Sequence, residues 1–585
     1  MRSTALVFLA LALAACGSDD GMGPPPSGTV NLELGAGEVR VLRSPDIHEV
    51  TVEGSAGTYV FIPSNANAIP DVVETYDLGF TVGTAAATAS LQLDARASAD
   101  LQSETSGRTF GDLAPTILHH RFEQRLRAFE RKRLDLRAAQ RSLRATPDRV
   151  ASAAPSALTP SRSAAAVVAA ETVGEVKQIR VPDGDGNDLC EDFVTITATV
   201  KAVGTHSVIL QDNAAPANGF TDADFTQIAA EFDNLIFPTA TRYFGNPSDR
   251  DVNAKILILY TPEVNKLTPP NSTGFVGGFF FSGDLFPRTD PDPDAACNQS
   301  NVAEIFYLLV PDPTGSINNN QRTAVSVRQG TRGTIAHELQ HMINAGRRLT
   351  EGVAQAFEAV WLDEALAHMS EDFVGRALFG FAEFQNLTFQ DVTSRGANDF
   401  NAFFFQNLAR FRFWQQRPDT AAATSSRTGE HLAYRGAAWA LVRYTADQYS
   451  GNDLPNFTRR VVGGPDTSVA NLTQKAGVVF DSLMAGWMVA NFADDLPVGG
   501  LNAKYTYRSW NFRSASAGIT NNNFPLRVVE LGNTLTQSQP LRSGTGVYFR
   551  KAPAGGNSVF TFTMRRSNGS QLTAPGARLY VVRTN

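Results

Sequence analysis

The chain has 585 residues, of which 43% are hydrophobic and 19% charged, and it carries a net charge of -7. That length exceeds what one hydrophobic core usually organises, so several structural units are expected. The acidic balance leaves no basic excess for a phosphate backbone, and no nucleic acid is expected as a partner.

The N-terminus reads MRSTALVFLALALAACGSDDG, with Arg2 as an early positive charge and an apolar run from Ala5 to Leu13. The run is far shorter than the roughly 20 residues a membrane-spanning helix needs, so it reads as an export signal. Leu13-Ala14-Ala15-Cys16 resembles a bacterial lipobox. That resemblance implies a lipoprotein signal peptide over 1-15, lipidation at Cys16 and a membrane partner reached through the lipid anchor. Gly17 rather than Asp after the cysteine implies, by the same resemblance, sorting to the outer membrane. Ordinary cleavage and secretion is the alternative.

Residues 16-28, rich in Gly, Ser, Asp and Pro, read as a tether. Over 29-93, alternating runs such as VNLEL, EVTVEG and TYVFIP predict a small β domain. Within 94-174, the stretch from Ala114 to Arg144 has helical spacing, with Leu118, Phe122, Leu126 and Phe129 as a narrow apolar stripe. It also carries Arg121, Arg125, Arg127, Arg131, Lys132, Arg133, Arg137, Arg141 and Arg144, a run read as a solvated face in preference to an anion-binding patch. An Ala/Ser/Pro-rich linker follows, and helix and linker together could form a removable pro-segment.

The next unit, 175-500, opens with strand patterns FVTITATVKAV and HSVILQ, then a helix starting at Thr221 or Asp222, then AKILILYTP and AEIFYLLVP as buried strands. Helical patterns dominate from there to about Ala493. In VPDGDGNDLCEDF, Asp183, Asp185, Asn187 and Asp188 offer oxygen donors for Ca(II), but the stretch lacks the glycine and glutamate of an EF-hand. A solvated turn is the favoured reading and calcium the minor one. Cys190 and Cys297 remain as an even pair once Cys16 is set aside, and both a disulfide and two free thiols stay open. Residues 520-585 return to β-like alternation in RVVEL, SVFTFTMRR and RLYVVRT, a second small β domain.

The chemistry concentrates in RGTIAHELQHMINAGRR, where His337, Glu338 and His341 form H-E-x-x-H. On a helix the two histidines project from one face about one turn apart, the separation two imidazoles need to share one Zn(II). Glu338, beside the first histidine, can reach a water at the metal without binding the metal itself. Asn344 and Arg347 occupy the positions where a metzincin needs Gly and His, which excludes that continuation. WLDEALAHMSE places Glu364 twenty-three positions after His341.

On HELQHMIN and WLDEALAHMSE the chain resembles the gluzincin metallopeptidases, most closely the hyicolysin-like peptidases. Asp363 stands where Asn is usual and Ala365 where Gly is usual. The resemblance, which covers about residues 190 to 450, implies an α+β fold with a zincin-like catalytic domain, here flanked by small all-β domains. It implies one Zn(II) held by His337, His341 and Glu364; His368, one helical turn after Glu364, is the rival third ligand by position. It implies that Glu371 supports a ligand histidine and that Tyr434 or His431 steadies the oxyanion. An edge strand, either AEIFYLLVP or GFVGGFFF, would bind extended peptide. The expected function is a zinc endopeptidase acting on protein or peptide substrates. A lipid-anchored binding or adhesion protein with an inactive zincin domain is the alternative from another class.

Overall fold

The computed structural model describes residues 29-84, then 122, 125-130, 132 and 136-145, and 171-585 apart from 185, 187, 273, 274 and 428-430. The export signal with Cys16, the tether, most of 94-174, and Asp185 and Asn187 of the calcium reading lie outside the described residues.

The central six-stranded sheet runs in the order Gly278–Phe280, Ile305–Leu308, Ile256–Tyr260, Ser207–Asp212, Phe193–Val203 and Val176–Pro182. Its middle strands ILILY and IFYL are buried at every residue and pair in parallel. Continuous apolar runs belong in strands covered on both faces. Phe193–Val203 alternates buried and half-buried positions over most of its length. Gly278–Phe280 pairs antiparallel with Ile305–Leu308 and forms one edge of the sheet. A capping box between Thr221 and Asp224 starts the helix Asp222–Glu231, which packs on Phe193–Val203 and Ser207–Asp212. A disulfide joins Cys190 and Cys297, closing a separation of 107 residues.

The motif helix, Ala324–Thr350, begins at Thr323, whose hydroxyl accepts the Ser326 N–H. Gly333 lets the helix Ala397–Phe403 come close, since a Cβ there would stand 2.1 Å from the Ala402 carbonyl oxygen. A second helix, Val360–Phe379, packs against the motif helix and is buried from Trp361 to Arg376. It stops at Gly380, whose φ of 76° is the left-handed conformation that glycine adopts without strain. A third, Leu432–Tyr449, lies against the second and against Phe405–Gln415. At Gly436 a Cβ would meet the Arg410 carbonyl oxygen at 2.3 Å, so only glycine permits this approach. Among the described residues no single helix is long and apolar enough to cross a membrane.

The β-rich ends, expected as separate units over 29-93 and 520-585, interleave in two sheets. One sheet runs Val30–Leu32, Glu49–Glu53, Ser558–Arg565, Val73–Thr84, Thr534–Arg542. The other runs Val528–Glu530, Tyr548–Lys551, Tyr59–Asn65, Ala577–Arg583, Val39–Arg43, with Thr545–Gly546 also pairing to Tyr59–Asn65. Phe61 of one sheet stacks on Phe562 of the other with ring centroids 5.0 Å apart. Each end of the chain thus supplies strands that pair with those of the other.

Candidate metal centre

The motif helix brings His337, Glu338 and His341 to one buried face, and the second helix brings Glu364, His368 and Glu371 opposite. One ligand atom from each of His337, His341 and Glu364 lies within 4.8 Å of the others. His337, His368 and Glu371 meet the same limit. The hydrogen bonds separate the two sets. Glu371 Oε1 stands 2.7 Å from His337 Nδ1 and 3.0 Å from His368 Nδ1. This oxygen is already engaged with two rings, which suits orientation better than ligation.

A carboxylate acceptor holds a proton on Nδ1 of each contacting ring, so that Nε2 is the nitrogen a metal would take. His337 Nε2 then faces Glu364 Oε2 at 3.4 Å. His341 repeats the arrangement: Nδ1 lies 2.7 Å from Asp363 Oδ2, and Nε2 lies 3.8 Å from Glu364 Oε1. Asp363 is fixed in turn by the Asn344 side-chain N–H, at 2.5 Å from its Oδ1. Glu364 Oε2 is enclosed without a well-aligned hydrogen bond, although the Arg435 guanidinium stands 3.1 Å away. Two imidazoles turned by carboxylates onto a buried third carboxylate fit a divalent cation such as zinc, so the residues present suit the group.

Electrostatics follow from this crowding. Burial opposes charge on His337, but Glu364, Glu371 and Glu338 outweigh it and hold its pKa up at about 10. Burial and the Arg410 charge push His368 down to about 4, so it is neutral at physiological pH. Despite burial, the neighbouring histidines keep Glu371 well below the usual carboxylate range. Glu364 is likewise held down by His337, His341 and Arg127 against the cost of its burial. Burial lowers Arg435 to about 10.

Glu338 lies beside the ligand set, and its Oε2 accepts the Phe280 N–H at 2.9 Å. That contact ties it to the edge strand Gly278–Phe280. His431 is the N-cap of the third helix, its Nδ1 accepting the Ala433 N–H at 2.9 Å. The Tyr434 hydroxyl donates to the Thr420 carbonyl at 3.4 Å. The residue that the third helix sends to Glu364 is Arg435. Sequence reasoning missed Arg435, Asp363 as the partner of His341, and Arg127, whose side chain enters the centre from outside both helices. Asp363 left a trace, an extra acid beside Glu364 in a segment too apolar to be solvated.

Fold and site define a mixed α and β protein with a helix-borne histidine and glutamate centre suited to one metal ion. No protein-family model matches the chain. Over 154 residues, 26% of this chain, it is 34% identical to the neutral metalloprotease ShpI of Staphylococcus hyicus. The matched stretch spans about a third of that relative's length, 32%.

Proposed function

We propose that the protein is a zinc-dependent endopeptidase. The observation that carries this reading is the pair of Nε2 atoms turned onto the Glu364 carboxylate by Glu371 and Asp363, with Glu338 alongside. The similarity to a metalloprotease supports it. A zinc ion held by His337, His341 and Glu364 would polarise a water molecule and a peptide carbonyl. Glu338 takes the proton of the attacking water and passes it to the leaving amine nitrogen. The Phe280 N–H keeps the Glu338 carboxylate beside the sheet edge where the scissile bond would lie. There Gly278–Phe280 offers its outer edge to an extended peptide, which adds as a further strand. Tyr434 or His431, both at the start of the third helix, would steady the oxyanion. The substrates would be proteins or peptides, and the lipobox-like Leu13-Ala14-Ala15-Cys16 followed by Gly17 supports a lipid anchor at the outer membrane, with secretion as the alternative.

The test is Glu338→Gln. The variant is expected to bind zinc as the parent does and to lose hydrolysis of casein and of a broad peptide library by about 10²–10⁴-fold. Undiminished cleavage would remove Glu338 from the mechanism, and a zinc-loaded parent that cleaves nothing would remove the peptidase reading.

A further inference from the structure

The described residues between Phe122 and Leu143 lie across the metal centre. Phe122 packs edge-on against Phe279 of the edge strand, with centroids 4.6 Å apart. Phe129 meets Phe281 at 5.0 Å and Phe286 at 5.3 Å. Further along, the Leu136 N–H donates to the Gln355 carbonyl at 2.7 Å. The Gln140 side-chain amide donates to the Arg348 and Ala354 carbonyls at 3.0 and 2.7 Å. Leu126, Leu136, Ala139 and Leu143 are buried as well. The segment is thus docked by its apolar stripe on the sheet edge and the C-terminal end of the motif helix.

From this platform Arg127 points inward, its side chain only 12% exposed. One terminal nitrogen lies 2.8 Å from Asp363 Oδ2 and 2.9 Å from Glu130 Oε2. The other lies 3.4 Å from Glu364 Oε1 and 3.3 Å from His341 Nδ1. Glu130 is steadied by the Ser282 hydroxyl, which donates to its other oxygen at 2.9 Å. A guanidinium in this position presents a positive charge to two of the three candidate ligands and to the carboxylate that orients one of them. A divalent cation there would face like-charge repulsion at contact distance in a poorly solvated site.

We propose that this segment is an internal inhibitor, with Arg127 standing in for the charge of the metal and the aromatic stripe covering the peptide-binding edge. Metal uptake and opening of the cleft are then competing with one intramolecular contact. The proposal rests on the metallopeptidase reading and adds its regulation.

The full chain and two variants test it, Arg127→Met and the double variant Phe122→Ala/Phe129→Ala, which loosens the segment without touching the centre. Apparent zinc affinity is measured by competition with a chromophoric chelator, and peptide hydrolysis is followed in parallel. Both variants are expected to bind zinc about tenfold or more tightly than the parent, with faster hydrolysis at limiting zinc. Parent-like zinc affinity in both variants would overturn the proposal, whatever the hydrolysis rates. A variant that misfolds leaves the decision to the other one. Tighter zinc binding without hydrolysis by any form would support the inhibitor and sink the peptidase reading, so the two failures are distinguishable.

Discussion

Glu371 contacts two imidazoles through one oxygen, and its value lies in what it does to His337. By fixing the proton on Nδ1 it keeps Nε2 turned to Glu364, so its removal is expected to weaken the metal site without removing a ligand. Glu371→Gln should lower zinc affinity by about 10–100-fold in the chelator competition. An unchanged affinity would reduce Glu371 to a packing residue. A second buried carboxylate answers to pH. Burial raises Asp284 to about 7 from 3.8, only partly offset by hydrogen bonds from Tyr307 and Asn301 and by the Arg288 charge. A raised folded-state value means its stabilising contribution is complete below pH 3.8 and is lost as pH rises through about 7. Urea-unfolding midpoints of the parent should therefore fall relative to Asp284→Asn as pH goes from about 4 to about 7.5. Parallel curves for the two proteins would contradict this assignment.

Among the elements, the motif helix and the second helix were legible because their chemistry repeats at helical spacing. Four positions bring His337 and His341 onto one face, and seven bring Glu364 and Glu371 onto another. The edge strand was not resolved by pattern: both GFVGGFFF and AEIFYLLVP are apolar enough. Pairing decides it, because among the described residues Ile305–Leu308 has neighbours on both sides and Gly278–Phe280 on one. The third helix shows a second use of His431. A residue with extended backbone at a helix N-terminus can cap through its side chain, and His431 Nδ1 does so. The basic helix departs furthest from expectation. Its charge run reads as a solvated face, yet Arg127 is buried among three carboxylates, an environment that no local spacing reveals.

At the level of the whole chain, the two β-rich ends depend on one another. Ser558–Arg565 separates Glu49–Glu53 from Val73–Thr84, and Ala577–Arg583 separates Val39–Arg43 from Tyr59–Asn65. A fragment of residues 29-93 therefore lacks, in each sheet, the strand that lies between two of its own. It is expected to show no cooperative unfolding by circular dichroism, and to gain strand structure when residues 520-585 are added. A fragment 29-93 that folds alone would refute this dependence. The central sheet has its own tie, the disulfide between Cys190 and Cys297. The sequence left that pairing open, since an even count of cysteines says nothing about distance.

Residue type and spacing were enough to mark the two histidines, the adjacent Glu338 and the distant Glu364, because helix geometry converts spacing into a shared face. They also marked strand from helix over most of the central unit, because burial on one face or two leaves its own apolar period. Tertiary structure alone decided which carboxylate orients each histidine, which arginine reaches Glu364, which strand is the edge, and that both ends of the chain build one pair of sheets. Those are contacts between segments far apart in sequence, such as Arg127 with Glu364 or Val73–Thr84 with Ser558–Arg565. Periodicity describes only the neighbours a residue has along its own element, so the partners it meets across the fold leave no local trace.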